Sequence, residues 1–190
     1  GVNIDAIVAE IYESVEAVIA VAGEENDTDV QSESGLPPHS IEIIAYGGLD
    51  EDVAGAIFRR KAAGIQTYGN TSVSVVSSAG TTHKIKFSRP TPVNVWVKIT
   101  GLKTDSVFPL DGIDRIKQNI VEYIGSNTRG GMAIGQDVIC VTLPTEVLKV
   151  PGVVDFDLQI SSNGSAFSRE NITIAAREKA VTDESKVTVE

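Results

Sequence analysis

The sequence of 190 residues predicts an α+β fold, an antiparallel central meander flanked by small helix-plus-strand lobes. Two patterns carry this expectation. Apolar residues recur at three- and four-residue spacing in separate segments, as buried helix faces require. Between Thr71 and Thr100 they recur instead at two-residue spacing, as half-buried strands require. The expected organisation is 1–70 as an N-terminal α+β lobe, 71–109 as the meander and 110–190 as a C-terminal α+β lobe, with a single compact unit as the alternative.

Ile4, Ile7, Val8, Ile11, Val15 and Val18 place an amphipathic helix over residues 3 to about 17, and a strand follows near 18–23. Residues 24–38 are polar and loop-like. The run Gly35-Leu-Pro-Pro-His-Ser-Ile-Glu-Ile-Ile-Ala-Tyr-Gly-Gly48 then joins a stiff turn to a strand and a helix start. Pro37 and Pro38 fix two torsions, remove two N–H donors and push the residue before each to extended geometry. Gly35 gives the turn a flexible lead-in, and His39 is expected to hydrogen-bond across it. Ile41, Ile43 and Ile44 read as a buried strand over 41–46, ended by Gly47 and Gly48. Asp50 is the expected cap of a helix over 51–63, whose inner face is Val53, Ala54, Ile57 and Phe58. Glu51 and Asp52 sit at the positive end of its dipole, and Arg59, Arg60 and Lys61 at the negative end. Gly64 is the expected left-handed residue after it.

The meander rests on three strands. Val73 and Val75 alternate imperfectly with serines, Ser78-Ala-Gly-Thr81 is a hairpin signal, and His83, Ile85 and Phe87 alternate with Lys84, Lys86 and Ser88. Val93, Val95, Val97 and Ile99 alternate with Asn94, Trp96, Lys98 and Thr100, while Pro90 and Pro92 mark an edge or a break. Ile113, Ile116, Ile120 and Ile124 stripe a helix over 112–124, capped by Asp111 and ended by Gly125. A glycine-rich loop covers 126–135. Residues 136–149 read either as a helix broken at Pro144 or as a short strand and then a helix with Pro144 in its first turn. Strands are expected at 153–160, 172–174 and 187–189, the last two joined by a charged loop. A faint helix-then-strand echo links 4–21 to 145–160.

Four blocks stand in order along the first half: Asn26-Asp-Thr-Asp29, Gly35-Leu-Pro-Pro-His-Ser40, Lys61-Ala-Ala-Gly-Ile-Gln-Thr-Tyr-Gly69 and Phe87-Ser-Arg-Pro-Thr91. With the later Val150-Pro-Gly-Val-Val154, their order and spacing resemble the baseplate J-like protein family of contractile phage tails and related injection devices. The resemblance spans most of residues 26–189 and implies a baseplate subunit that works through its interfaces. It further implies other baseplate subunits as partners, a location in the virion tail baseplate, and the bacterial cytoplasm during assembly. Family members are usually longer at the N-terminus. A start at Gly1 without Met agrees with an excised domain or a processed product.

Composition narrows the alternatives. A net charge of −10 opposes binding to nucleic-acid backbone or anionic lipid, and no apolar run is long enough to insert in a membrane. The single cysteine, Cys140, excludes an internal disulfide and reads as a small core residue. Glu24, Glu25, Asp27 and Asp29 lack the ligand order of a calcium loop. Thr128-Arg-Gly-Gly-Met-Ala-Ile-Gly135 lacks the Gly-Lys-Ser/Thr start of a phosphate loop and reads as a connector. No metal, no cofactor and no catalytic residue is expected, and the chain does not read as an enzyme.

The residues singled out are therefore architectural. Gly35, Pro37, Pro38 and His39 form a structural turn. Lys84, Lys86, Arg89 and Lys98, with Lys103, are either a solvated sheet face or a basic stripe for an acidic neighbour. Trp96 lies on the strand face opposite Val95 and Val97, so either the sheet is covered on both faces or Trp96 anchors an interface. Self-association is a further possibility. The alternative function is a carbohydrate- or peptide-binding module, although aromatic residues make up only 5% of the chain.

Overall fold

The α+β class holds, but the strands of residues 71–104 do not form one meander. A computed structural model describes residues 3–190, with four helices and ten strands in several small sheets. The chain divides into two compact units between Pro90 and Thr91. The two prolines thus mark a break, and the expected lobes at 1–70, 71–109 and 110–190 are replaced by one boundary.

In the first unit the order is α1 (Ile4–Ser14), β1 (Val18–Asn26), β2 (Ser40–Gly47), α2 (Asp50–Arg60), β3 (Gln66–Tyr68), β4 (Thr71–Val76) and β5 (Thr82–Phe87). Asn3 caps α1 by accepting from the Ala6 N–H through its side chain. Ile7 and Ile11 on its inner face are wholly buried. The helix stops short of residue 17 because Val15 is already extended and Ala17 is left-handed. β2 is central, antiparallel to β1 and parallel to β3. β4 and β5 form the expected hairpin, closed where Ser77 donates to the Thr81 carbonyl. Ile85 and Phe87 join Ile41, Ile43, Val53 and Ile57 in one core.

In the second unit the order is β6 (Thr91–Asn94), β7 (Trp96–Thr104), α3 (Gly112–Ile124), α4 (Pro144–Leu148), β8 (Val153–Ser161), β9 (Glu178–Val181) and β10 (Val187–Val189). β6 pairs in parallel with β9, and β7 pairs in parallel with β10 and antiparallel with β8. Residues 178–189 therefore run beside 91–99 and take the place the meander would have given to β5. Val95, Val97 and Ile99 face Ile116, Ile120 and Ile124 of α3 in a second core, which includes Cys140. Burial pushes the Cys140 thiol up from its ordinary range.

Several local expectations change. Pro144 opens α4, as the second reading of 136–149 has it, but the short strand of that reading is only a bridge at Val138, followed by a 3-10 turn at Cys140–Thr142. The strand expected at 172–174 is reduced to a bridge between Ile172 and Val138, and part of the charged loop is instead β9. Lys179 of β9 is fully buried, and desolvation lowers its ammonium pKa. Asp111 occupies the cap position of α3 but bonds Arg115 rather than the helix N–H groups. Asp50 is the first residue of α2, with Leu49 at the cap. α2 ends at Arg60, and Gly64 is left-handed but lies beyond its end.

Arg59 and Arg60 do more than complement a helix dipole. Arg59 Nε lies 2.9 Å and Arg60 Nε 2.8 Å from the two oxygens of Glu10, tying α2 to α1. The hydrogen bond from Arg60, and next that from Arg59, hold the Glu10 carboxyl below its ordinary value of 4.5. A depressed carboxylate pKa contributes stability that is present above 4.5 and lost as pH falls through the folded-state value. Glu10→Gln is therefore expected to lower the urea midpoint at pH 7 and to narrow its gap from wild type as pH falls below 4.5. Urea titrations across that range check it.

Candidate functional site

The four ordered blocks come together in pairs, and each pair is a fastening. The first joins Asn26-Asp-Thr-Asp29 to Gly35-Leu-Pro-Pro-His-Ser40. Asn26, at the end of β1, is 4% exposed. Its Nδ2 donates to the carbonyls of Val30 (2.8 Å), Leu36 (2.9 Å) and Pro37 (3.1 Å). Its Oδ1 accepts from the Thr28 N–H and hydroxyl. One buried amide thus closes the whole loop between β1 and β2, with Leu36 sealed beneath it. Ser40 adds a 2.6 Å bond to the Pro37 carbonyl.

Gly35 is left-handed, Pro37 is half-buried, and Pro38 is exposed. His39 makes the expected cross-loop contact, with Nε2 2.8 Å from Asp29 Oδ1. Both side chains are largely in solvent, so this contact contributes little beside Asn26.

The second fastening joins the end of Lys61-Ala-Ala-Gly-Ile-Gln-Thr-Tyr-Gly69 to Phe87-Ser-Arg-Pro-Thr91. A Cβ on Gly69 would lie 2.1 Å from the Phe87 carbonyl carbon, so only glycine fits there. Asn70 Oδ1 accepts from the Arg89 N–H, and the Asn70 N–H donates to Ser88 Oγ. Ser88 also extends the pairing of β2: its N–H donates to the Ile43 carbonyl, and its carbonyl accepts from the Ala45 N–H. Its hydroxyl donates to buried Glu42 at 2.5 Å. Arg89 completes the fastening. Its guanidinium donates to the carbonyls of Ala45 (2.9 Å), Gly47 (2.7 Å) and Gly48 (2.8 Å), and to Asp50 (2.6 Å). It also lies 5.0 Å from the Phe87 ring centroid. The planar fork of arginine suits this convergent set of acceptors.

The residues of the basic stripe are divided between the two units. Lys84 and Lys86 are exposed on β5, whereas Arg89 is spent inside the first unit. Lys98 and Lys103 belong to β7 of the second unit. The ammonium of Lys98 stands 5.9 Å from the Phe167 ring centroid, and Lys103 pairs with Asp155 at 3.1 Å.

Trp96 is half-buried on the outer face of its strand, as are Lys98 and Thr100. Gly164 approaches the indole so closely that a Cβ would lie 3.0 Å from it, and Lys186 Nζ is 5.9 Å from the ring centroid. Asn163 shapes that loop, its Oδ1 accepting from the N–H groups of Ser165 and Ala166. Lys186 in turn bonds Asp183, and this bond, followed by that from Ser185, lowers the Asp183 pKa.

The glycine-rich segment is a loop, exposed over 127–131 and anchored at Met132. Met132 is buried, and its N–H donates to the Ile124 carbonyl at the end of α3. A cleft of about 690 Å³ beside it is lined by Gln118, Glu122, Thr128, Arg129 and Glu184. Two smaller clefts, about 370 and 320 Å³, lie beside Cys140 and beside Lys84 and Lys86. Neither Trp96 nor a tyrosine lines any of the three. Among the described residues no helix is long and apolar enough to cross a membrane, and no group of three His, Cys, Asp or Glu is placed to hold a metal ion. No protein-family model matches the chain, and no curated protein matches it.

Asn26→Asp replaces a donor with a carboxylate facing three carbonyls and is expected to cost about 3 kcal/mol or more. His39→Gly, which removes the Asp29 contact and relieves a left-handed residue, is expected to change stability by less than about 1 kcal/mol. Arg89→Ala is expected to cost about 2–3 kcal/mol, and Arg89→Lys to recover less than half of that. Urea midpoints of the four variants check these values.

Proposed function

We propose that this chain is a structural subunit of the baseplate of a contractile phage or prophage tail. Its role is mechanical. It holds neighbouring baseplate subunits in a ring and transmits their rearrangement when the tail contracts. It acts without a metal or cofactor, catalyses no reaction and binds no nucleic acid. It resides in the virion tail baseplate and is assembled in the bacterial cytoplasm.

One observation carries this reading. The four blocks that resemble the baseplate J-like family are spent on holding backbone: Asn26 closes one loop, and Gly69, Ser88 and Arg89, with Asn70 just after the third block, join a hairpin to a strand and a helix. A pattern whose residues are used to fix shape suits a part that works by shape. Cross-linked fastenings also suit a subunit that must carry load between neighbours.

Antibody against this chain, applied with gold label to contractile tails induced from the source organism, is expected to decorate the end of the tail distal to the capsid. Label on the sheath, on the capsid or on no tail would overturn the proposal.

A further inference from the structure

A sheet edge offers unpaired N–H and C=O groups to any passing strand, and proteins blunt such edges with charge, bulges or cover. The first unit treats its strands unequally. β1 has an irregularity between Val18 and Ala20, carries Glu24 and Glu25, and has its Val21 N–H bonded to the Tyr12 hydroxyl at 2.9 Å. β4 has none of these devices. Among the described residues it pairs with β5 only. It carries no charge, and the stretch from Ala62 to His83 holds no Asp, Glu, Lys or Arg in a chain where such residues make up 22%. Val76 is 63% exposed, and Val73 and Val75 are left half-buried against the core.

We propose that β4 is the seam for a second copy of this chain, paired antiparallel with its own counterpart about Ser74. The pattern Thr71-Ser-Val-Ser-Val-Val76 is self-compatible in that register. Ser74 meets Ser74 of the second copy, Val73 meets its Val75, and Ser72 meets its Val76. Residues of like parity pair, so both apolar faces fall on one side of the joined sheet. No like charges meet. Lys84 and Lys86 sit on β5, so the lysine rows of the two copies would stand three strand spacings apart, about 14 Å, beyond the screening length of roughly 8 Å at physiological salt. A strand chosen by charge, by contrast, finds nothing on β4 to select it.

A six-residue seam is smaller than the roughly 1,200 Å² of a stable interface, so the pairing is weak and reversible in free solution and strengthens where copies are held close. The seam rests on the edge alone and not on the baseplate proposal.

Sedimentation equilibrium of the whole chain from about 10 µM to about 1 mM tests it. The mass is expected to rise from 20.1 kDa toward twice that value. Ser74→Lys, which sets two ammonium groups opposite each other, is expected to raise the concentration needed by about tenfold, with circular dichroism and melting temperature unchanged. Val76→Lys on the same exposed row, with no partner charge opposite, is expected to raise it less. A single 20.1 kDa species throughout, or Ser74→Lys associating as wild type does, would overturn the seam and leave the gold-labelling test untouched.

Discussion

Ser88 and Arg89 hold the first unit together. The hairpin of β4 and β5 reaches the central strand β2 where the Ser88 backbone pairs with Ile43 and Ala45. There the Arg89 guanidinium draws together the carbonyls that end β2 and the carboxylate that begins α2. Strand, turn, helix and hairpin thus share one set of donors. An arginine is needed because a lysine offers a point charge where four acceptors converge from different directions. Gly69 is needed because the chain crosses Phe87 too closely for a Cβ.

This arrangement connects the local fold to the proposed role. A domain that transmits force benefits when separate elements open together, since a load on one is then resisted by all. Asn26 extends the same principle to the long loop between β1 and β2, where three carbonyls are gathered by one buried amide. The edge at β4 is the exception in this unit, a strand that carries no charge and that, among the described residues, has no pairing on its outer side.

Much of the fold was legible from residue spacing. The isoleucine stripes of α1 and α3 and the alternation of β5 depend on neighbours in sequence, and they appear as expected except at Ile113, which the first turn of α3 leaves exposed. What was not legible depends on partners far along the chain. β6 and β7 alternate as strands should, but alternation does not say which strand lies beside them, and β9 and β10 do. β9 itself reads as loop because Glu178-Lys179 looks solvated, yet Lys179 is buried. Arg89 reads as surface charge because its acceptors lie 39 to 44 residues earlier, around a turn whose own glycines give no sign of needing it. Trp96 is anomalous by parity alone, but the loop that approaches it at Gly164 is placed only by the fold. Asn26 had a weak signal, an asparagine followed by Asp-Thr and a proline-stiffened turn, but it lies in the stretch that reads as loop, whereas β1 runs on from residue 23 to Asn26.

Native-state hydrogen exchange of the first unit, followed through low concentrations of denaturant, tests the weld most directly. If Ser88 and Arg89 join the hairpin to the rest, the amides of β5, the Ser88 amide and the Ala45 amide of β2 will converge on one opening free energy and one denaturant dependence. Exchange of the β5 amides through a separate, lower-energy opening, while Ala45 stays protected, would show that the hairpin is held independently and would contradict the account.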